Sequence, residues 1–200
     1  MQELEKKKYE EIWRHPQYRV FSPGFYFAEN FLNHFKAQMS PGESIIDFGC
    51  GTGKAGFFFF LQGFEVHMVD IAMNCLDESI ANFLSLHPPR IDFLQACLWE
   101  LPEALEKTDW IYCCDVLEHI PTQHVDDVLF QIAQRCKKGG FLEITLEQDS
   151  LGALIGQELH LTVRSKEWWM EKINRHWKID AFGPEKKNMR FSIFVKTMSI

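Results

Sequence analysis

The stretch 44-SIIDFGCGTGKAG-56 constrains this chain more than any other. An apolar pair, Ile45-Ile46, runs into an acid, Asp47, and glycines then recur at 49, 51, 53 and 56. Glycine gives up chain stability for unusual dihedrals and for close approach. Four of them after an apolar run mark a backbone against which something packs. A P-loop is excluded. Gly53-Lys54 has Phe48 where that motif needs its first glycine, and Ala55 where it needs Ser or Thr. A dinucleotide fingerprint is harder to dismiss, because Gly51, Gly53 and Gly56 fit G-x-G-x-x-G, with Asp70 standing about 20 residues on. A lone glycine pattern is weak evidence, so the rest of the chain must choose.

Two hundred residues suffice for one domain with a sizeable core. The expected division is a single unit over 1–200, with a helical cap at 1–40 and a ligand-binding core at 41–198. The chain is 46% apolar and 24% charged, which excludes disordered and collagen-like classes. A net charge of −7 argues against a nucleic-acid binder, whose footprint is a basic face. The basic runs Lys6-Lys7-Lys8 and Lys186-Lys187 read as solvated surface. The charged start, MQELEKKKYEEIW, is no signal core, and AGFFFFLQGF is too short to span a bilayer. The six cysteines show no scaffold spacing and read as buried thiols, with a cytoplasmic location expected. Cys113 and Cys114 point to opposite faces if they lie on a strand.

Periodicity predicts helices over 2–14 and 25–38. Leu4, Tyr9, Ile12 and Trp13 are the contacts of the first, and Phe27, Phe31, Leu32 and Phe35 form a stripe on the second. Beyond Pro41-Gly42, strands at 44–48, 65–70, 90–95, 109–114 and 139–146 alternate with helices at 53–62, 74–85 and 123–136. Lys137-Lys138-Gly139-Gly140 reads as a cationic helix end with a C-cap glycine. A helix at 165–175, with Ser165 as its N-cap, precedes strands at 177–182 and 190–197. Alternating βα units imply a parallel sheet covered on both faces. The tight GPEKKN loop between the last two strands forces antiparallel pairing there.

That order resembles the class I S-adenosylmethionine-dependent methyltransferases across roughly residues 41–198. Four pieces carry the resemblance: DFGCGTG at 47–53, EVHMVDIA at 65–72, LQACLWELP at 94–102 and DWIYCCDVLEHIP at 109–121. It implies a Rossmann-like three-layer α/β sandwich, a mostly parallel seven-stranded sheet with a C-terminal antiparallel hairpin. It also implies S-adenosyl-L-methionine as cofactor and a small-molecule or sugar-intermediate acceptor. Dinucleotide enzymes normally lack the acid that Asp47 supplies. The physical logic agrees, because this cofactor has no phosphate but carries an ammonium, a carboxylate, a sulfonium and a ribose diol. Asp47 suits the ammonium, directly or through water. The backbone at Gly49, Cys50, Gly51 and Gly53 suits the methionine chain and ribose. Asp70, followed by Ile71, can accept both ribose hydroxyls. Gly56 reads as a packing glycine.

The chain departs from the family at Cys97, where an acid commonly meets the adenine amino group; a thiol is a poor acceptor. Backbone groups at Cys97 and Leu98 are the replacement, with Trp99 either an adenine platform or ordinary core. The resemblance places the backbone around 113–115, including Asp115, beside the transferable methyl. Two readings of 115-DVLEH-119 compete. Glu118 and His119 either position a loop or, with Asp115 and the later His160, form a metal set like that of small-RNA 2′-O-methyltransferases. The expectation is no metal, since Asp stands where that motif has Glu and the chain lacks a basic face. His119, His160 and Tyr18 are the candidate bases. Arg19, Ser22-Pro23-Gly24 and Trp168-Trp169 are available to shape the acceptor site.

Overall fold

The computed structural model describes residues 1–20, 22–186 and 189–198. Lys187 and Asn188, part of the predicted polar loop and of the second basic pair, lie outside the described residues. The seven strands are β1 (Ser44–Phe48), β2 (Glu65–Asp70), β3 (Ile91–Gln95), β4 (Thr108–Cys114), β5 (Cys136–Thr145), β6 (Trp177–Phe182) and β7 (Arg190–Thr197). They form one sheet in the order β3-β2-β1-β4-β5-β7-β6. β7 pairs antiparallel with both β5 and β6, while the pairs among β1 to β5 are parallel. One strand therefore runs against an otherwise parallel sheet, as the short final connection requires.

β1 is buried along Ile45–Phe48, the near-continuous apolar run of a strand covered on both faces. On one face pack α1 (Gln2–Ile12), the short α2 (Pro16–Arg19), α3 (Pro23–Phe35) and α4 (Lys54–Leu61). α3 starts on Pro23 at its first turn and buries Ala28, Phe31 and Phe35, which meet Phe59, Trp110 and Tyr112. Completing the layers are α5 (Glu78–Leu84) beside β3, and α6 (Val125–Gln134) with α7 (Lys166–Ile173) on the opposite face. α6 buries Val125, Val128, Leu129 and Ile132, the spacing of a single helical stripe. Ser165 caps α7 by accepting from the Trp168 amide. Cys113 and Cys114 fall into the cores on opposite faces of the sheet, and all six cysteines are buried.

The fold corrects three local readings. Lys137–Gly140 do not close a helix but form the start of β5. Their glycines answer a steric demand of the sheet. A Cβ on Gly139 would lie 2.3 Å from the Val195 carbonyl oxygen, and one on Gly140 2.3 Å from Ile111. The helix expected from 74 begins only at Glu78, because the preceding residues wrap around the end of β2. Leu4, expected as a contact, is exposed, while Tyr9, Ile12 and Trp13 are buried.

Candidate cofactor and acceptor site

The chain turns one way from β1 into β2 and the other way into β4, so a crevice opens at the carboxyl ends of β1 and β4. Two adjoining cavities occupy it. A smaller one of about 90 Å³ is bordered by Asp70, Ile71, Cys97, Leu98 and Trp99. A larger one of about 430 Å³ runs from Asp47, Gly49 and Gly51 past Asp115 to His160 and Arg190. Trp13, Tyr18, Gly49, Asp115 and His119 line both.

The glycine loop leaves β1 with Gly49 at φ +67° and Gly51 at φ +50°, conformations that an L side chain adopts at a cost. Space is short as well. A Cβ at Gly49 would strike Val116, and one at Gly51 would press on the Trp13 ring at 3.0 Å. Gly56 packs against Met68, as expected of a helix–strand contact. Asp47 ends this cradle at 3% exposure, and its Oδ2 has no hydrogen-bond partner. Burial pushes its carboxyl up to about 7, against a hydrogen bond from the Gly56 amide that lowers it. Asp47 lines the larger cavity, and a buried carboxyl with an unfilled lone pair suits an ammonium group.

Asp70 does two jobs. Its Oδ2 accepts from the Gly51 amide at 3.0 Å and its Oδ1 from the Ala72 amide at 2.9 Å, so the carboxylate fixes the loop it faces. Each oxygen keeps a further lone pair for a diol. Burial pushes this carboxyl up to about 6, opposed by those amides. The Cys97 thiol, also raised by burial, lines the smaller cavity with Leu98. Trp99 borders that cavity and stacks on His124 at 4.7 Å, which joins the two readings of this residue.

Asp115 follows β4 with φ +59°, a left-handed conformation held by its surroundings. Its amide donates to the Glu143 carbonyl at 3.1 Å, and its Oδ1 accepts from the Thr145 hydroxyl at 2.7 Å. Burial raises its carboxyl, but the neighbouring His119 and the hydrogen bond from Thr145 outweigh that and leave it below the ordinary range. Glu118 is fully buried. Its Oε1 accepts from the Thr145 amide at 2.7 Å and its Oε2 has no partner. Burial, Asp115 and Glu143 push the Glu118 carboxyl far up.

His119 meets the Tyr9 hydroxyl at 2.7 Å and the Leu159 carbonyl at 3.2 Å, both through Nδ1, which leaves Nε2 as its free ring nitrogen. Burial and His160 lower it to about 4, so the ring is neutral at physiological pH. The His160 ring lies edge-on at 4.6 Å, and its Nδ1 donates to the Glu147 carbonyl. Glu118, His119 and His160 each present a ligand atom within 4.8 Å of the others, close enough to share a divalent ion.

Tyr18, Ser22, Pro23 and Gly24 line the larger cavity. Arg19 does not: its guanidinium donates to the carbonyls of Trp13, Asn74, Cys75 and Leu76 and straps the N-terminal segment to the end of β2. Trp169 is fully buried against the opposite face, and Trp168 packs beside it. Sequence reasoning missed the roles of Tyr9, Thr145, Glu143 and Arg190. Only the place of Glu143, Thr145 and Arg190 at or near strand ends hints at three of them.

A model of the family "Methyltransferase domain" matches residues 45–140, the span from the first strand through the start of β5. A ubiquinone biosynthesis O-methyltransferase of Rickettsia bellii is 26% identical over 132 residues, covering 66% of this chain and 52% of the relative. One from Rickettsia prowazekii is 30% identical over 101 residues, covering 50% and 38%. The chain thus spans about half the length of the first of these curated relatives or less. Among solved structures, magnesium protoporphyrin IX methyltransferase of Synechocystis with bound SAH superposes with TM-score 0.70 at 17% identity. It covers 96% of this chain and 94% of that one. The N-methyltransferase NodS of Bradyrhizobium japonicum superposes with TM-score 0.61 at 12% identity, over 92% and 89%. The Asp47 cradle, the Asp70 strand end and the sheet order thus stand beside a match of residues 45–140 to a methyltransferase-domain model and a fold shared with solved methyltransferases.

Proposed function

We propose that the chain transfers the methyl group of S-adenosylmethionine to a small-molecule acceptor bound in the larger cavity. The observation that carries this is the orphaned, buried Asp47 oxygen beside a left-handed glycine loop at the sheet's switch point. The bound cofactor supplies an electrophilic methyl on sulfur. This chain's residues supply placement, the main contribution an enzyme makes to a displacement. Asp47 takes the ammonium, the loop glycines let the methionine chain lie on the backbone, and Asp70 holds the ribose. The Cys97-Leu98 backbone borders the adenine. Asp115, fixed by Thr145 and lining both cavities, would border the bound methyl and the acceptor. His119, neutral and with Nε2 free, accepts a proton from a hydroxyl or ammonium acceptor; His160 and Tyr18 are the other groups in reach of the cavity. The two ubiquinone-pathway relatives favour an oxygen acceptor. Incubation with methyl-labelled S-adenosylmethionine and a metabolite extract should yield a labelled product with wild type. Asp47→Asn should reduce the yield at least roughly tenfold, as loss of one charge-assisted contact implies. No labelled product at any cofactor concentration, from protein shown to bind S-adenosylhomocysteine, contradicts the proposal.

The convergence of Glu118, His119 and His160 supports a second reading, against the sequence expectation of no metal. The set is one carboxylate and two imidazoles, and the orphaned Glu118 Oε2 gains a partner if a divalent ion binds. An ion held there lowers the pKa of a hydroxyl acceptor. In this reading turnover vanishes with chelator and returns with one divalent ion, and Glu118→Gln mimics the chelator. Full activity in excess chelator eliminates it.

A further inference from the structure

The lining of the larger cavity is mostly acidic in charge: it includes Asp47, Asp115 and Asp149. Asp149 is spent on the chain itself, because its two carboxylate oxygens accept from the Leu151 and Gly152 amides. Arg190 also lines it, the single Lys or Arg among the residues that do. It is the first residue of β7 and pairs in register with Thr145, whose hydroxyl holds Asp115. The sheet thus sets the Arg190 backbone beside the strand that supports Asp115.

Its charge is not consumed. Among the described residues the Arg190 side chain makes no hydrogen bond, and its one ion-pair partner, Glu143, lies 3.7 Å away, beyond hydrogen-bond reach. The matching Glu143 oxygen, Oε1, is itself buried without a hydrogen bond. Arg190 is about a third exposed, so its five donors can reach a ligand in the cavity. A guanidinium fork aimed into a cleft is suited to a planar or tetrahedral oxyanion. The other groups of the lining that can carry full charge, Asp115 and Asp149, are acidic and turn an anion toward Arg190.

Resting on the methyltransferase reading above, we propose that the acceptor carries an anionic group, a carboxylate or a phosphate, and that Arg190 binds it. The nucleophile then points back toward Asp115 and His119. Arg190 is a specificity residue in this scheme: it selects and orients the acceptor, and it takes no part in the transfer.

Binding separates this from the reading it rests on. Calorimetry with S-adenosylhomocysteine comes first; failure to bind it removes the methyltransferase reading, and the acceptor question with it. With that ligand in place, benzoate, inorganic phosphate and the uncharged benzyl alcohol are titrated while the backbone amide resonance of Thr145, the in-register neighbour of Arg190 and present in wild type and variants alike, is followed by NMR. The expected result is a saturable shift with benzoate or phosphate, at least tenfold tighter than any shift with benzyl alcohol. The stronger of the two anions identifies the group. Arg190→Gln should abolish the difference between benzoate and benzyl alcohol, and Arg190→Lys should keep part of it. An unchanged melting temperature shows that both variants are folded. Equal affinity for benzoate and benzyl alcohol in wild type, no saturable shift with either anion, or an anion preference that survives in Arg190→Gln overturns the proposal.

Discussion

Asp47 shows how one residue trades stability for binding. Its carboxyl titrates near 7 in the fold and near 4 in an unfolded chain. The folded pKa is the higher one, so the stabilisation it confers is full below about 4 and is lost as pH rises through about 7. Asp47→Asn should therefore raise the melting temperature of the ligand-free protein at pH 8 by a few degrees, roughly 1–3 kcal/mol, while weakening S-adenosylhomocysteine binding. The same titration sets a pH dependence. If binding requires the ionised acid, the apparent affinity should be roughly tenfold lower at pH 6 than at pH 8, with proton release on binding near pH 6.5. Calorimetry in two buffers of different ionisation enthalpy counts that proton. A flat affinity from pH 6 to 8 means that Asp47 does not face the ammonium. The acid and the glycines were legible in the sequence, because strand end, acid and glycines share one short segment. The support for Asp115 was not. Glu143 and Thr145 come from β5 and Glu118 from the turn after β4, and no local pattern announces their meeting.

Elements were read well where hydrophobic period and burial agree. The strands β1, β2, β6 and β7 fall on the predicted residues, because burial on the sheet for β1, β2 and β7, and alternation at the edge for β6, leave little freedom of register. The misreading at 137–140 arose because two glycines after two lysines satisfy the rule for a helix end as well as the rule for a crowded strand. The structure distinguishes them through the neighbours of Gly140. A Cβ there meets the Ile111 carbonyl oxygen and side chain, both at 2.3 Å, inside the sheet. Gly140→Ala should accordingly cost about 1–3 kcal/mol, the scale of overpacking, in urea unfolding. A helix C-cap glycine outside the sheet would give a smaller loss confined to α6, and protection of the β4 and β5 amides would be unchanged.

At the scale of the molecule, the site is completed by a segment far from it in sequence. Tyr9, Trp13 and Tyr18 close the cavities from the N-terminal side, and Tyr9 reaches His119 across 110 positions. Arg19 holds this segment through four carbonyls and an ion pair with Asp77 at 3.6 Å. Arg19→Ala should loosen the first 20 residues by roughly 1.5–3 kcal/mol, the usual worth of charged hydrogen bonds. Limited proteolysis and hydrogen exchange in α1 should show this, with ligand partly restoring protection. Unaltered exchange in α1 would show that packing alone holds the cap. No helix among the described residues is long and apolar enough to cross a membrane. The whole arrangement rests on one ligand, and calorimetry with S-adenosylhomocysteine and with NAD tests it most directly. The account predicts one S-adenosylhomocysteine per chain, lost or strongly weakened in Asp47→Asn, and no heat from NAD. Binding of NAD with none of S-adenosylhomocysteine would contradict it.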